Sequence, residues 1–345
     1  MERPVAPRTN PHVTMQDVAE KAGVSAQTVS NVVNGRTERV GADTIDRVTG
    51  VIDELGYRLN QSARSLRRGR TGIVGLGVPV LASEYYGELS ERISRLFSEQ
   101  GVRLVTENTG GAMAVEVESL AASHLETYDG FILAIAASES ADLNRIPPTK
   151  PIVLLGERAL STRFDHVLMD NTEGGRKATA HLFDRGAREG LALGGSSSGP
   201  DSVQTLRTRG YVDAHRERGL EVRQELIVDT GLDMADGFRA VTALLDDGVG
   251  FDGIFALTDS TAFGALRALA DRGIRVPEDV QVVGFDNVRA GAYATPRLTT
   301  IEPGNDEMAR EIVEMILARL RSSGPTGQPR RSMMPPRLVV RETTR

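Results

Sequence analysis

VTMQDVAEKAGVSAQTVSNVVNG, residues 13–35, holds two helix starts and two stops within one short span. Thr14 can cap a segment Met15–Lys21, and Asp17 at its third position offers the return contact of a capping box. Ala22-Gly23 ends that segment. Ser25 caps a second one through Val33, and Asn34-Gly35 stops it. Two short helices joined by a tight glycine turn make a helix-turn-helix when small and apolar residues fall at the crossing. Ala19 supplies the small residue, Gly23 the turn, and Val18, Val24, Val29 and Val32 the inward face. An αα-hairpin with no nucleic-acid role satisfies the same packing rules, so the outward face carries the weight. There Ser25, Gln27, Thr28, Ser30, Asn31 and Asn34 are short and polar. Gln and Asn can contact adenine bidentately, and Ser or Thr can bind phosphate. A purely structural helix would carry Glu and Lys, and neither occurs between Ser25 and Asn34.

Working outward, a third helix is expected over Asp43–Leu55, with Ile45, Val48, Val51, Ile52 and Leu55 on one face and Gly56 closing it. Residues 58–70 form a connector with five arginines and no acid. The net charge of −6 argues against a nucleic-acid partner only when taken whole: residues 1–70 carry +3 and residues 71–345 carry −9. Such a split hints at nucleic-acid contact at one end, although a solvated linker gives the same pattern.

From residue 71 onward apolar runs alternate with amphipathic stretches. The runs are 72–78, 102–107, 130–136, 151–156, 166–170, 189–195, 225–229, 253–257 and 280–286. Helical stretches between them include 86–99, 172–185, 205–218, 235–247 and 260–272. Strand–helix–strand alternation means parallel sheets covered by helices, and this many strands suggests two sheets, with Asp170-Asn171 a plausible crossover. Residues 322–336 read as a Ser/Gly/Pro-rich loop ahead of a last strand, Arg337–Arg341.

The chain's 345 residues, 40% apolar and 26% charged, suit two or three globular domains. No cysteine is present, which excludes disulfides, thiolate metal sites and cysteine nucleophiles. The longest near-apolar stretch, Gly72 to Ala82, is far short of the ~20 residues of a membrane helix. The start, MERPVAPRTNPHVT, lacks the apolar core of a signal peptide, and a cytoplasmic protein with no membrane partner is expected. His12, His124, His166, His181 and His215 show no metal spacing, and no Gly-x-Ser-x-Gly elbow occurs. The glycines of 72–77 fall inside a strand, where close approach by neighbours explains them. The loop Gly194–Pro200 follows a strand but lacks the Lys-[Ser/Thr] of a phosphate-binding loop. No catalytic constellation, metal or cofactor is therefore expected.

The 13–35 segment, continued by GADTIDRVTGVIDELGYRLNQSARSLRRGRTGIVGL, resembles the DNA-binding head of the lactose/galactose-repressor (LacI-type) family of bacterial transcription regulators. The resemblance runs over nearly the whole chain from about His12. It implies an all-α helix-turn-helix head (13–57), a hinge (58–70) and an α/β periplasmic-binding-protein-like sensor of two doubly wound parallel-sheet lobes (71–345). Lobe 1 would hold about 71–170 and 302–332, and lobe 2 about 171–301 and 333–345. Residues 1–12 form an extension without a counterpart.

At the DNA, the resemblance implies base reading by Ala26, Gln27 and Asn31. It implies phosphate contacts from Thr14, Thr28, Arg39, Thr44 and Tyr57. The hinge is expected to order on DNA, with Asn60 at its start and Leu66, beside Ala63, wedging into the minor groove. Apolar wedges flanked by arginines are a known bending device. In the sensor, the resemblance places Arg207, Asp286, Thr258, Asp259 and Tyr86 around an effector.

Three positions depart from the family pattern: Thr258 stands where Asn is common, Leu232 replaces a second aromatic, and Gly156 replaces an aspartate. A sugar or sugar derivative leads as effector, with a purine or other non-sugar metabolite second. The chain ends without a leucine-heptad helix, so a homodimer on a palindromic double-stranded operator is expected. A solute-binding protein and an enzyme on a doubly wound sheet are the rival readings.

Overall fold

The computed structural model describes residues 13–57, 70–156, 161–322 and 327–345. The chain divides into two units between Thr71 and Gly72. The first is three helices, α1 (Met15–Ala22), α2 (Ala26–Val33) and α3 (Ala42–Leu55). Thr14 and Asp17 form the expected capping box on α1, and Gly23, at φ 63°, lets the chain reverse into α2. Ser25 caps α2 through the Thr28 amide. Val18, Ala19, Ala22, Val29 and Val48 close a small core between the three helices. The helices therefore form where the sequence places them, α3 starting one residue earlier because Gly41 is its cap.

The second unit contains two six-stranded sheets of matching strand order. Lobe 1 is built from β1 (Ile73–Val78), β2 (Arg103–Asn108), β3 (Gly130–Ala134), β4 (Ile152–Leu155) and β5 (Asp165–Met169). Lobe 2 is built from β6 (Gly190–Leu193), β7 (Ile227–Val228), β8 (Gly253–Ala256), β9 (Gln281–Phe285) and β10 (Thr299–Glu302). The chain then returns to add β11 (Arg331–Met334) to lobe 1 and β12 (Arg337–Val339) to lobe 2. The orders are β11-β5-β4-β3-β1-β2 and β12-β10-β9-β8-β6-β7. Every described pairing is parallel except β10 with β12.

Helices cover both faces of each sheet, which is why the strands read as continuous apolar runs. In lobe 1, α4 (Glu84–Glu99) and the late helix packed beside it cover one face, and α5 (Met113–Ser119) precedes β3. In lobe 2, α6 (Asn171–Asp184) and α7 (Val203–Glu217) cover one face. The other carries α8 (Met234–Asp246) and α9 (Asp259–Asp271). The late helix, α10 (Asn305–Arg321), follows β10 of lobe 2 yet packs on α4 and β3–β5 of lobe 1.

Three segments differ from expectation. Thr299–Glu302 is a strand the apolar pattern does not reveal, because Thr299 and Thr300 are buried with their hydroxyls bonded. The stretch expected as a loop over 322–336 contains β11, which pairs with β5. Lobe 1 thus extends to Met334 rather than 332, and the last strand is shorter, ending at Val339. Ile227–Val228 is also short, because a 3₁₀ turn over Gln224–Leu226 takes the start of that run.

Candidate functional site

In the head, the residues expected at DNA fall into two groups. Thr14 is committed to its cap, its hydroxyl 2.8 Å from Asp17 Oδ2. Ser25 Oγ accepts from the Thr28 amide at 3.1 Å and lies 2.9 Å from the Thr28 hydroxyl. Asn34 turns its amide back onto the Ser30 carbonyl. Tyr57 is half-buried against the three-helix core, and Thr44 is half-buried in the first turn of α3. Gln27 and Arg39 are exposed, while Ala26, Ser30 and Asn31 are half-exposed. Gln27 Nε2 donates to Asn31 Oδ1 at 3.1 Å, one helical turn apart, so these two amides form one polar surface on α2. Asn60, Ala63 and Leu66 lie outside the described residues.

In lobe 2 the approach of α6 to α7 sets the position of Arg207. A methyl group at Gly175 would collide with the Arg207 carbonyl, and one at Gly210 with that of Thr172. Glycine at both positions brings the two backbones together and carries the Arg207 side chain under the carboxyl ends of β8 and β9. Its guanidinium is buried, 2% exposed. Nε donates to Asn171 Oδ1 at 2.7 Å, Nη1 to the Leu257 carbonyl, and Nη2 to Asp286 Oδ1 at 3.5 Å. The group lies 3.4 Å from the centroid of the Phe285 ring, a cation–π stack in a desolvated place.

Asp286 and Asn287, at φ 113° and 51°, are the non-glycine residues with positive φ among those described. Strain of this kind concentrates at functional sites. Burial pushes the Asp286 carboxyl up to about 7, against the pull of Arg207 and with a further push from Glu302. Asp259 is held well above the usual carboxylate range by burial and by Asp286. It is nonetheless fully engaged: Thr300 Oγ1 donates to one oxygen at 2.5 Å and the Val288 amide to the other at 2.9 Å. Asp259 therefore fixes the turn after Asp286. Thr258, rather than Asp259, caps α9, and its hydroxyl donates to the Leu232 carbonyl at 3.0 Å. Leu232, where a second aromatic was missing, belongs to the lobe 2 core.

Tyr86 sits in the first turn of α4 in lobe 1, half-buried, its ring meeting Tyr85 edge-on at 5.0 Å. Two residues further along α4, Glu88 Oε1 accepts from the backbone amide of Arg289 at 2.7 Å. Glu91 Oε2 accepts from Arg289 Nη2 at 2.7 Å. Arg289 lies in lobe 2, three residues past Asp286, so an ion-pair bridge joins the lobes next to two of the expected effector residues. The structure thus brings Arg207 and Asp286 together directly, with Asp259 behind the same turn.

Sequence reasoning missed Asn171, Phe285, Asn305, Glu88 and Arg289. In the sequence Asn171 reads only as a crossover, and Phe285 only as part of an apolar run. No local pattern marks the others.

A helix-turn-helix reader and a two-lobed sensor of the periplasmic-binding type on one chain define a class of ligand-responsive DNA-binding regulators. Residues 14–60 match the family of bacterial regulatory proteins, lacI family, and residues 179–344 match the periplasmic binding protein-like domain. The HTH-type transcriptional regulator DegA of Bacillus subtilis (strain 168) is 30% identical over 96% of this chain and 98% of its own. A LacI-family regulator from Sanguibacter keddieii is 37% identical with a TM-score of 0.74, covering 80% of this chain and 99% of its own. The transcriptional regulator CelR, solved with cellobiose, is 30% identical with a TM-score of 0.67, covering 96% and 99%.

The chain belongs to the LacI family of bacterial transcriptional regulators. Members of this family bind operator DNA as dimers with small-molecule effectors, and they are not enzymes. No helix among the described residues is long and apolar enough to cross a membrane.

Proposed function

We propose that the protein is a homodimeric, sequence-specific repressor whose grip on a palindromic operator is set by a sugar or sugar derivative bound between the lobes. The observation that carries the effector site is the buried Arg207, stacked on Phe285 and touching Asp286 at the carboxyl ends of β8 and β9. Ligands of open α/β sheets bind at that edge. Two acceptors lie near it: the Asp286 carboxyl group, and the Asn305 Oδ1, which is buried without a donor. Acceptors beside a single guanidinium suit a neutral molecule with several hydroxyls, because hydroxyls can both give and take hydrogen bonds. The cellobiose held by CelR belongs to that chemistry.

On the DNA side, Gln27 and Asn31 are the residues we assign to base reading, with Leu66 as the minor-groove wedge. Leu66→Ala should weaken binding and reduce bending of an operator while leaving the fold intact, and unchanged gel-shift affinity and mobility would count against it.

The effector test is a thermal-shift screen of the full chain against mono- and disaccharides, cellobiose included, with purines as the counter-panel. A true effector at a hundredfold excess over Kd stabilises by about 2.7 kcal/mol. That shift should vanish in Arg207→Ala. A shift that survives the substitution places the ligand elsewhere, and a response to purines alone overturns the sugar assignment.

A further inference from the structure

We propose that Asn171 and Asn305 are positioning residues that set the angle between the lobes, by tying Arg207 and Asp286 to two of the chain's three crossovers. The proposal rests on the reading of Arg207 and Asp286 as effector contacts. Each asparagine is the first residue of a helix that begins where the chain changes lobe. Asn171 opens α6 directly after β5, so the strand lies in lobe 1 and the helix in lobe 2. Asn305 opens α10 shortly after β10, with the strand in lobe 2 and the helix packed on lobe 1. Both are buried, 2% and 4% exposed.

Neither side chain serves the usual purpose of an asparagine at a helix start, which is to cap the first turn. Asp170 already caps α6 by accepting from the Glu173 amide. At α10 the cap is Gly304, which has no side chain, and Glu302 Oε1 takes the amides of Gly304 and Asn305 at 2.9 and 2.7 Å. The asparagine amides bond instead to Arg207 and Asp286. Asn171 Oδ1 accepts from Arg207 Nε at 2.7 Å, and Asn305 Nδ2 donates to the Asp286 carbonyl at 2.9 Å.

A ligand that draws the Arg207 head toward itself must therefore pull on Asn171, and one that moves Asp286 must pull on Asn305. The pull arrives at the segments whose backbone angles fix the lobe angle, as hinges do. Asn305 carries a second sign of poise: its Oδ1 is buried with no donor in this arrangement, an unfavourable state that any arrangement supplying a donor would relieve.

The chain has no cysteine, so dyes on Ser123→Cys in lobe 1 and Ala270→Cys in lobe 2, both exposed, report the lobe angle by single-molecule energy transfer. Asn171→Ala and Asn305→Ala in the full-length chain should each shift or broaden that distance distribution. They should also change affinity for a duplex selected from a random library by the unmutated protein by about tenfold, the scale of one buried hydrogen bond. Asn171→Asp keeps the acceptor for Arg207 and should restore the unmutated distribution, whereas Asn305→Asp loses the donor and should behave like Asn305→Ala. Arg207→Ala combined with Asn171→Ala should shift the distribution no further than either alone, because the two share one bond.

A purely structural role predicts lower melting temperatures with unchanged distances and unchanged duplex affinity, and that result overturns the proposal. So does additive behaviour in the Arg207 cycle. The distance measurement needs neither DNA nor effector. If no duplex is selected, the regulator reading fails by itself, and the distances still decide the role of the asparagines.

Discussion

The two lobes repeat one strand order, yet each treats a buried carboxylate at the carboxyl end of its sheet differently. In lobe 1, Glu116 of α5 is fully buried and reaches the turn after β3. There it accepts from the amides of Ala136, Ala137 and Ser138 at 2.7 to 3.3 Å. In lobe 2, after the neighbouring strand position, the Asp286 carboxyl meets the Arg207 guanidinium at 3.5 Å and the backbone amide of Asp259. One carboxylate is saturated by backbone donors and locks a turn in place. The other sits beside a stacked guanidinium, with fewer backbone donors than Glu116. The same architecture thus yields a turn-locking carboxylate in one lobe and, in the other, a carboxylate at the proposed effector site, and the donors around each distinguish them.

The largest test of that contrast is Glu116→Ala. It removes an acceptor from three backbone amides, the Ser138 amide among them on a fully buried residue, costing about 1–3 kcal/mol and lowering the melting temperature by several degrees. Glu116→Gln keeps one acceptor oxygen and should cost less. Thermal unfolding of both variants checks this. A loss near zero in Glu116→Ala would mean the turn is held by something other than the carboxylate, and the lobes would no longer differ as described.

Asp286→Asn addresses the other half. Its carboxyl is pushed up to about 7 in the folded chain, while an unfolded carboxyl titrates near 4. Between those values the folded state holds a proton the unfolded state has released, so stability falls as pH rises through the window and levels off above it. The contribution is at most about 1.4 kcal/mol per pH unit. Asp259, also held above its usual range, adds a slope of the same sign. Replacing Asp286 should therefore flatten, without abolishing, the decline in unfolding free energy between pH 5 and 7. Urea midpoints at intervals across that range measure it, and an unchanged slope would show that Asp286 titrates normally.

The head was readable from sequence because its function and its fold are local. Caps, turn glycines and the inward valines lie within 23 consecutive residues, and every helix forms where those signals place it. The sensor strands were readable wherever both faces are apolar. They were missed at Thr299–Glu302 and Arg331–Met334, because those short segments become strands through their neighbours rather than their own pattern. The proposed effector site was readable only in part. Arg207 and Asp286, 79 residues apart, came from resemblance, and nothing local connects them. Asn171 and Asn305 bond groups far along the chain, and Asp259 holds the turn after Asp286 through bonds no local pattern shows. A sequence displays residue types along a line, but who saturates whom is settled by packing.

The smallest effect is expected at the bridge between the lobes. Arg289 is largely exposed, and surface ion pairs are worth roughly 0–1 kcal/mol. Arg289→Ala removes the guanidinium's pairs with Glu91 and Glu88 but keeps the backbone amide that donates to Glu88, so part of the bridge survives. Glu88→Ala should do more, because Glu88 also accepts from Arg92, which in turn reaches Asp306 beside the Asn305 crossover. In the energy-transfer measurement Arg289→Ala should widen the lobe distances slightly at low salt. At about 1 M salt, where the screening length is only ~3 Å, it should match the unmutated chain. Glu88→Ala should keep part of its effect at high salt, since it loses a desolvated acceptor as well as a charge. Equal salt dependence in the two variants would make the bridge a simple charge pair and leave the lobe angle to the crossovers alone.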